Sequence, residues 1–514
     1  MRKTFALFLS MLLSLGLSAQ DAAIKKIMDM AVNDNQVMNH LDILTNRFGG
    51  RLVGGDNYEN AAEWALKQFR SWGLDARLEE AGTMPVGFNR GPWFGTLLGA
   101  DEAMTLHFVT PSYTSGTHGV QRGHVVLEPR TQADFDRVKG KLKGAWVLLE
   151  STNTGWAIET SKEADQRRQD ALKENEQKAQ KNREIQQKNR ETGSQDALEK
   201  LNEEPCIFYR EMIEAGILGV IQSAPVPLRA LYDKGVVKNP DITFETLPVL
   251  PDIKLDENQF AKIKKMVQER RNIALEFDIR NHFKMGPVKY YNVVADLKGS
   301  KKPQESVIVS GHLDCFDVAT GGVDDGNGSS VAMEAARMIA LSGAKPLRTM
   351  HFILFAAEEF GLLGAKAWAE THKSELDKVS DIFNRDGGSN AYVSISVPKS
   401  LVKEYTRLAE PIQKLFPQYD FQVLELKASK QPTSPGGTDA TVFGVAGVPM
   451  VNMREADPMG YDFNYQEIWH TERDLYNKSI PEYQEEAAAA VAIMSLGTAN
   501  LDKMLPRDEV YTKE

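Results

Sequence analysis

The chain has 514 residues, a formal net charge of −10 at pH 7 and a pI near 5.6. This length is too great for one ordinary domain and enough for two or three, while the acidic balance gives no reason to expect nucleic acid or an anionic membrane as a partner. The two cysteines, Cys206 and Cys315, are too few for a disulfide framework, and whether they pair with each other stays open.

The amino terminus has the features of a signal peptide over residues 1–19. A short basic start, Met1–Thr4, precedes a run of about 13 apolar residues, and Leu17–Ala19 offers the small residues that a signal peptidase cleaves. The run is too short to cross a bilayer comfortably. The cleavage point has no cysteine, which argues against a lipoprotein. We therefore expect an exported protein, periplasmic or extracellular, without a membrane anchor.

The next stretch, residues 20–115, is predicted to be mainly helical. Apolar residues recur at helical spacing from Asn57 to Trp72, and Gly73 then ends the pattern. From 116 to 285 the pattern changes to short apolar strands such as Ala145–Leu149. We therefore expect the two stretches to belong to different domains.

Within the second stretch, residues 161–204 are dense in Lys, Arg, Glu and Gln. Their few apolar residues cannot fill a core, so we expect one or two solvent-exposed helices, broken near Gly193 and Ser194. Acidic and basic residues are mixed, which argues against a role in binding nucleic acid. The segment is interpreted as a solvated helical excursion.

Residues 286–514 alternate between predicted strands and predicted helices. The strands are Tyr291–Ala295, Ser306–Ser310, Thr349–Phe355 and Val379–Phe383, and the helices are Ser329–Leu341, Leu362–Thr371 and Glu482–Leu496. Such alternation is typical of an α/β domain, in which functional sites lie at the carboxyl ends of the strands.

One of these strand ends carries the first candidate metal ligand. The strand that ends at Ser310 leads directly into His312, and Asp314 is suited to hold the imidazole in one tautomer. Twelve residues after His312, a glycine-rich turn contains Asp324 and Asp325. Glycines let the backbone bend sharply, so this turn can bring a carboxylate back towards the histidine.

Three of the remaining candidates, Glu358, Glu359 and Asp386, also lie at predicted strand ends. Glu358 and Glu359 end another apolar strand, where two adjacent carboxylates are costly unless they serve a cation or a proton transfer. Asp386 follows a third strand and precedes two glycines, and His470 lies shortly before the last long helix.

Together these residues form a set of imidazoles and hard oxygen ligands. Such a set suits Zn²⁺ and also tolerates Mn²⁺ or Co²⁺. One shared carboxylate can bridge two ions, and a further free carboxylate is needed as general base. The candidate ligands are His312, His470, Asp386 and one residue from each of the pairs Asp324–Asp325 and Glu358–Glu359.

The order His-x-Asp, Asp-Asp, Glu-Glu, Asp, His resembles the co-catalytic zinc exopeptidases, the family of bacterial leucyl aminopeptidases and carboxypeptidase Q. Asn292–Gly299, Gly437–Asp439 and Ala446–Pro449 are similar to further family stretches. The resemblance implies an α/β fold with a mixed, mostly parallel sheet flanked by helices. It also implies that residues 20–115 are the amino-terminal part of the catalytic domain and that 116–285 are an inserted, β-rich protease-associated domain.

The family resemblance further implies a secreted aminopeptidase or dipeptidase that cleaves peptide bonds near a terminus through a metal-bridging hydroxide, with two Zn²⁺ per chain. It assigns one zinc to His312 and Asp386, the other to Glu359 and His470, the bridge to Asp324, the general base to Glu358 and the orientation of His312 to Asp314. It also implies a cis peptide bond between Asp324 and Asp325.

Three positions depart from the family pattern. Trp469 stands where a tyrosine often supports the oxyanion, and Tyr461 or Tyr465 can take that role. Ala440 replaces a frequent histidine, and Cys315 replaces a serine. None of these is one of the five ligands, so we expect catalysis to be kept and specificity to differ.

Two alternatives share the fold. A single-zinc acyltransferase like glutaminyl cyclase is distinguished by its metal stoichiometry. A non-catalytic binding protein that has lost its metals is disfavoured because all five ligands and the base are present.

Overall fold

The structure, a computed structural model, describes residues 20–99, 103–451 and 453–512. The predicted signal peptide, residues 1–19, lies outside the described residues. Among the described residues, no helix has the length and apolar character that a membrane span requires. Both cysteines lie in the described ranges and are free thiols.

The chain divides into two compact units. The first comprises the chain up to Thr83, Lys289–Trp469 and the residues from Arg473 onward. The second comprises Met84–Val288 together with the three residues His470–Glu472.

The first unit is built on a five-stranded mixed sheet. The strands lie in the order Asp75–Met84, Val288–Leu297, Arg348–Phe355, Lys302–His312 and Val379–Asn384. Lys302–His312 pairs in parallel with both of its neighbours, whereas Val288–Leu297 pairs antiparallel with Arg348–Phe355. Because three neighbouring strands are parallel, their carboxyl ends lie at one edge of the sheet.

Helices flank this sheet, which confirms the predicted α/β class. The α-helices of the unit are 20–33, Val37–Asp42, Asp56–Ser71, Gly326–Ser342, Leu363–Thr371, Val402–Leu415, Ala440–Val445, Tyr465–Ile468, Pro481–Ala499 and Arg507–Val510. A π-helix, Ile43–Phe48, continues the second of them. A small three-stranded sheet has the order Gln422–Glu425, Ala391–Val397 and Met453–Ala456, and Ser429–Lys430 pairs with Tyr511–Thr512.

The alternation of side chains along the strands forms the core of this unit. Ile308 and Ile353 are buried in one cluster with Trp368 and Phe443, which come from helices on one face of the sheet. Helix Gly326–Ser342 packs on the strand that ends at His312 and on the last long helix. Successive residues of a strand point to opposite faces, so near-continuous apolar strands are what a sheet covered on both faces requires.

The second unit is β-rich. Its eight-stranded sheet has the order Met104–Thr105, Trp93–Gly99, Ile273–Ile279, Gln121–Leu127, Ala145–Thr152, Gly219–Ala224, Asp252–Asp256 and Phe108–Val109, and Gly87–Asn89 pairs with His282–Lys284. Its α-helices are Gln132–Val138, Lys162–Thr192, Tyr209–Glu214, Lys234–Val237 and Glu257–Gln268. Phe277 lies at its centre, with ring centroids 4.8 Å from Trp146 and 5.0 Å from Phe108.

The chain enters this second unit earlier than the sequence predicts. Residues 84–115, predicted to be part of the amino-terminal catalytic stretch, belong to the second unit. The physical reason is strand pairing, because Trp93–Gly99 runs antiparallel to Ile273–Ile279 along seven residue pairs. Backbone hydrogen bonding with a strand nearly 180 residues away along the chain leaves no local sequence signal.

The charged segment 161–204 forms one long helix, Lys162–Thr192, which ends at Gly193 in the left-handed conformation with φ 71°. Three asparagine side chains of this helix, spaced seven residues apart, bind the main chain of the segment that follows the helix. Each accepts a hydrogen bond from a main-chain N–H and donates one to the carbonyl of the same residue. The pairs are Asn189 with Asp196, Asn182 with Glu199 and Asn175 with Asn202. Seven helical residues rise about 10.5 Å, and three nearly extended residues reach about the same distance, so the two spacings match.

Candidate metal centre

His312 is fixed by the end of its strand. Its imidazole Nδ1 donates a hydrogen bond to the main-chain carbonyl of Asp314 over 2.9 Å, and the Asp314 carboxylate lies 3.6 Å from the same nitrogen. The carbonyl, rather than the predicted carboxylate, is therefore the partner at hydrogen-bond distance. With Nδ1 as the donor, Nε2 carries the lone pair that a metal ion needs.

The glycine-rich turn brings Asp324 towards that nitrogen. The Asp324–Asp325 peptide bond is cis, as the family resemblance implies. Gly321 has φ 60°, and a Cβ there would collide with the sulfur of Cys315. Asp325 caps helix Gly326–Ser342, since its carboxylate accepts from the Gly328 N–H over 2.8 Å and from the His312 N–H over 2.9 Å.

The loop after strand Arg348–Phe355 is held by Asp314. One oxygen of its carboxylate accepts from the Glu358 N–H over 3.1 Å and the other from the Glu359 N–H over 3.3 Å. Ala357 adopts a left-handed φ of 54° just before them. The sequence predicts Asp314 as a partner of the histidine alone, whereas its carboxylate also fixes the main chain of the two glutamates.

All five predicted ligands come together in two groups that share one residue. His312, Asp324 and Asp386 offer ligand atoms that lie within 4.8 Å of one another, and so do Asp324, Glu359 and His470. Nε2 of His312 is 3.3 Å from an Asp324 oxygen and 3.6 Å from an Asp386 oxygen. His470 follows Trp469 of the first unit directly in the chain.

The chemistry of these groups fits a divalent cation. Nε2 of His312 is buried and has no hydrogen-bond partner among the residues that the structure describes. Loss of solvent, with the nearby Asp324 carboxylate, raises the pKa of Glu359 well above its usual value. Loss of solvent also raises the pKa of Glu358 to about 11. Crowded carboxylates beside an imidazole lone pair are the donor set that Zn²⁺ prefers.

Several residues that hold the loops of the metal centre in place were not identified from the sequence. Arg51 is buried and its guanidinium donates to the carbonyls of Leu313, Thr320 and Gly321 over 2.8, 2.8 and 3.0 Å. It thereby ties together both ends of the loop between His312 and the aspartate turn. A lone arginine among glycines gives no sequence signal for this role.

Asp474 was missed for the same reason. Its two carboxylate oxygens accept from the Val323 N–H over 2.7 Å and from the Asp324 N–H over 3.3 Å. Burial raises its pKa to about 7, an effect that the negative charge of Asp324 increases and these two hydrogen bonds oppose. Its position four residues after His470 is the only sequence hint.

Asp439 lies in a stretch that carries the family resemblance. It is fully buried, and neither of its carboxylate oxygens has a hydrogen-bond partner among the described residues. Burial raises the pKa of Asp439 well above its usual value; nearby Asp386 raises it further, whereas His312 lowers it. The preceding Thr438 accepts a hydrogen bond from Asn384 over 2.7 Å, which connects this stretch to the strand before Asp386.

A cavity of about 450 Å³ adjoins the centre at Asp386. Most of its wall is apolar, and its polar lining includes Arg385, whose guanidinium is 3.2 Å from the Glu455 carboxylate and 4.7 Å from the Tyr392 ring centroid. The apolar lining includes Val309, Val331, Ala332, Phe383, Met450 and Val491. The cavity lining therefore combines apolar side chains with the Arg385–Glu455 ion pair and Asp386.

Of the two tyrosines that could replace the missing family tyrosine, Tyr465 is the one beside the centre. Loss of solvent, together with the Asp324, Asp386 and Glu359 carboxylates, raises its pKa far above the usual value. Tyr461 is 49% exposed and lies beside Tyr483.

Comparison with known proteins agrees with this geometry. Residues 292–495 match Peptidase family M28. Carboxypeptidase Q from Mus musculus is 27% identical over 322 residues, covering 59% of this chain and 63% of that protein, so the chain spans less than two thirds of this relative's length.

Two solved structures share the fold. A peptidase M28 precursor from Shewanella amazonensis has a TM-score of 0.58 at 21% identity and covers 95% of this chain and 99% of its own. A zinc aminopeptidase from Bacillus subtilis has a TM-score of 0.51 at 16% identity, with coverages of 93% and 97%.

The solved structures show a shared fold, and the matches support the resemblance of the chain to the zinc exopeptidases. The match to Peptidase family M28 covers residues 292–495, less than half of the chain. The family resemblance that the order of the motifs indicated is thereby confirmed.

Proposed function

We propose that the chain is an exported di-zinc exopeptidase that removes residues from a terminus of peptides or cleaves dipeptides. The observation that carries this proposal is the sharing of Asp324 between two donor groups. A single shared carboxylate with one histidine and one further carboxylate on each side is the arrangement that two co-catalytic ions require.

In this proposal each ion has its own histidine. His312 and Asp386 would hold one zinc, Glu359 and His470 would hold the other, and Asp324 would be shared by both, with Mn²⁺ or Co²⁺ as substitutes. Bound zinc supplies Lewis acidity, which polarises the scissile carbonyl and lowers the pKa of water.

Glu358 is proposed as the general base. It adjoins Glu359 but belongs to neither donor group, so its carboxylate is free to move a proton from the attacking water to the leaving amine. The Asp314 carboxylate fixes the main chain of both glutamates. Asp314 therefore positions the base as well as the His312 ligand.

Tyr465 is proposed to stabilise the oxyanion. Its hydroxyl stays protonated at neutral pH because loss of solvent and the surrounding carboxylates raise its pKa. A protonated hydroxyl can donate to the negative oxygen that forms during acyl transfer.

The proposal also includes the identity of the second unit and the cellular compartment of the protein. The eight-stranded sheet of the second unit, which includes strands from residues 84–115 as well as from 116–285, supports the interpretation of this unit as an inserted protease-associated domain. The basic, apolar and small-residue pattern of residues 1–19 supports export to the periplasm or the extracellular space.

Elemental analysis of the full-length protein tests the metal stoichiometry. We expect two zinc ions per chain, because two donor groups share Asp324. One zinc per chain would favour the glutaminyl cyclase-like alternative, and none would favour the binding protein. A panel of dipeptides and aminoacyl anilides, each assayed with and without a chelator, identifies the bond that is cleaved.

The cavity beside Asp386 is proposed to receive the side chain of the terminal residue. Ala332→Leu narrows this cavity from the helix side. We expect kcat/KM for leucyl substrates to fall about 10–200-fold relative to alanyl substrates, the range that pocket contacts of one to a few methylenes give. The alanyl substrate is the internal control, and an equal loss for both substrates would contradict the assignment.

A further inference from the structure

His470 has a backbone conformation that its surroundings must maintain. Its φ is 58°, in the left-handed region that residues other than glycine rarely adopt. A non-glycine residue persists there only when neighbouring contacts hold the chain in place. The contacts of residues 470–472 are therefore informative about how this ligand is positioned.

The main chain of this segment pairs with residues 228–230 of the second unit. Thr471 forms an antiparallel bridge with Arg229. The His470 carbonyl accepts from the Ala230 N–H over 3.3 Å, and the Glu472 N–H donates to the Leu228 carbonyl over 3.0 Å. The segment thus forms an isolated antiparallel bridge, with one main-chain hydrogen bond on each side of Thr471.

The side chain of Glu472 adds further contacts at the end of this segment. Its Oε1 accepts from the Leu228 N–H over 3.2 Å, and its two oxygens lie 2.9 and 2.8 Å from Nε2 of His107. Nδ1 of His107 is in turn 3.1 Å from a carboxylate oxygen of Asp256, which caps helix Glu257–Gln268. A helix terminus is thereby connected through His107 to the segment that carries His470.

We propose that Glu472 and His107 are positioning residues for the metal ligand His470. The proposal rests on the di-zinc function proposed above. Residues that orient a metal ligand without touching the ion typically contribute about 10–100-fold to metal affinity. The His107 side chain is 41% exposed, so this pair contributes little to a core and its effect should concentrate on the ligand segment.

Zinc binding by Glu472→Ala in the full-length protein tests this proposal. Metal-free protein is titrated with Zn²⁺ against a competing chelator, and with Co²⁺ while its absorption spectrum is followed. We expect one of the two ions to bind about 10–100-fold more weakly, with a changed Co²⁺ spectrum for that ion, while the other ion binds as in the wild type.

Two further variants separate positioning from general destabilisation. In Glu472→Gln the amide oxygen can still accept from the Leu228 N–H. The amide NH₂ can donate to Nε2 of His107 when Nδ1 of that ring carries the proton and donates to Asp256. We therefore expect this variant to bind both metal ions with wild-type affinity. Glu150→Ala is the matched control. It breaks the 2.7 Å ion pair between Glu150 and Lys264, whose side chains are about as exposed as those of the Glu472–His107 pair and lie elsewhere in the same unit. We expect it to bind both ions normally.

The outcomes are distinguishable. Wild-type affinity for both ions in Glu472→Ala, or an equal loss in Glu150→Ala, would overturn the positioning role. If Glu472→Ala does not fold, the half-exposed His107→Ala is measured in its place, with the same expectation. A wild-type protein that binds fewer than two zinc ions would instead contradict the di-zinc function itself.

Discussion

Replacement of Asp324 by Asn should remove both metal ions and reduce hydrolysis to the level of chelator-treated wild-type protein. Asp324 is the residue that the two donor groups share, so the change takes one negative ligand from each ion. An amide oxygen is neutral and cannot replace a bridging carboxylate between two dications. Zinc affinity should fall by more than the decrease of about 10–100-fold that follows the loss of a residue that only orients a ligand.

Zinc content, chelator competition and thermal unfolding of the metal-free protein check this prediction. Asp420→Asn is a suitable control, since Asp420 is exposed in a turn of the same unit with φ 47°, a conformation that Asn also tolerates. The control should keep both ions and full activity. Retention of one zinc by Asp324→Asn would show that the ions do not share this ligand.

Much of the α/β framework could be predicted because its signals are local. The strands around Ile308 and Ile353 are continuous apolar runs, and the helix after the aspartate turn has a clear start and periodicity. The α/β alternation of strands and helices then places His312 and Asp386 at neighbouring strand ends. Four of the five ligands agree with this rule, since they stand after a strand or in the glycine-rich turn, whereas His470 follows the short helix Tyr465–Ile468.

The supporting residues could not be predicted because their partners are distant in sequence. Arg51 binds carbonyls more than 260 residues away, and His107 reaches Glu472 across 365 residues. Asp325 was interpreted only as the neighbour of a ligand, although its carboxylate both caps a helix and binds the His312 N–H. The roles of Arg51 and His107 depend on tertiary packing, which neither periodicity nor motif spacing encodes, whereas the helix cap by Asp325 is a local signal.

Replacement of Glu358 by Gln should lower kcat by about 10²–10⁴-fold while both zinc ions stay bound, the contribution that a positioned general acid–base typically makes. Glu358 belongs to neither donor group, so the change removes a proton carrier and leaves the ligands intact. Its main-chain N–H still donates to Asp314, which keeps the loop in place.

The adjacent Glu359→Gln is the matched comparison. It has the same chemical change and the same loop, and its N–H is held by the same Asp314 carboxylate. Because Glu359 belongs to the group with Asp324 and His470, its loss should weaken one of the two zinc ions, and added zinc should restore part of the activity. Added zinc should have no effect on Glu358→Gln. The reverse pattern, with zinc lost from Glu358→Gln and kept in Glu359→Gln, would exchange the roles of the two glutamates. If neither change altered metal content or rate, the pair would be a solvated turn with no part in catalysis.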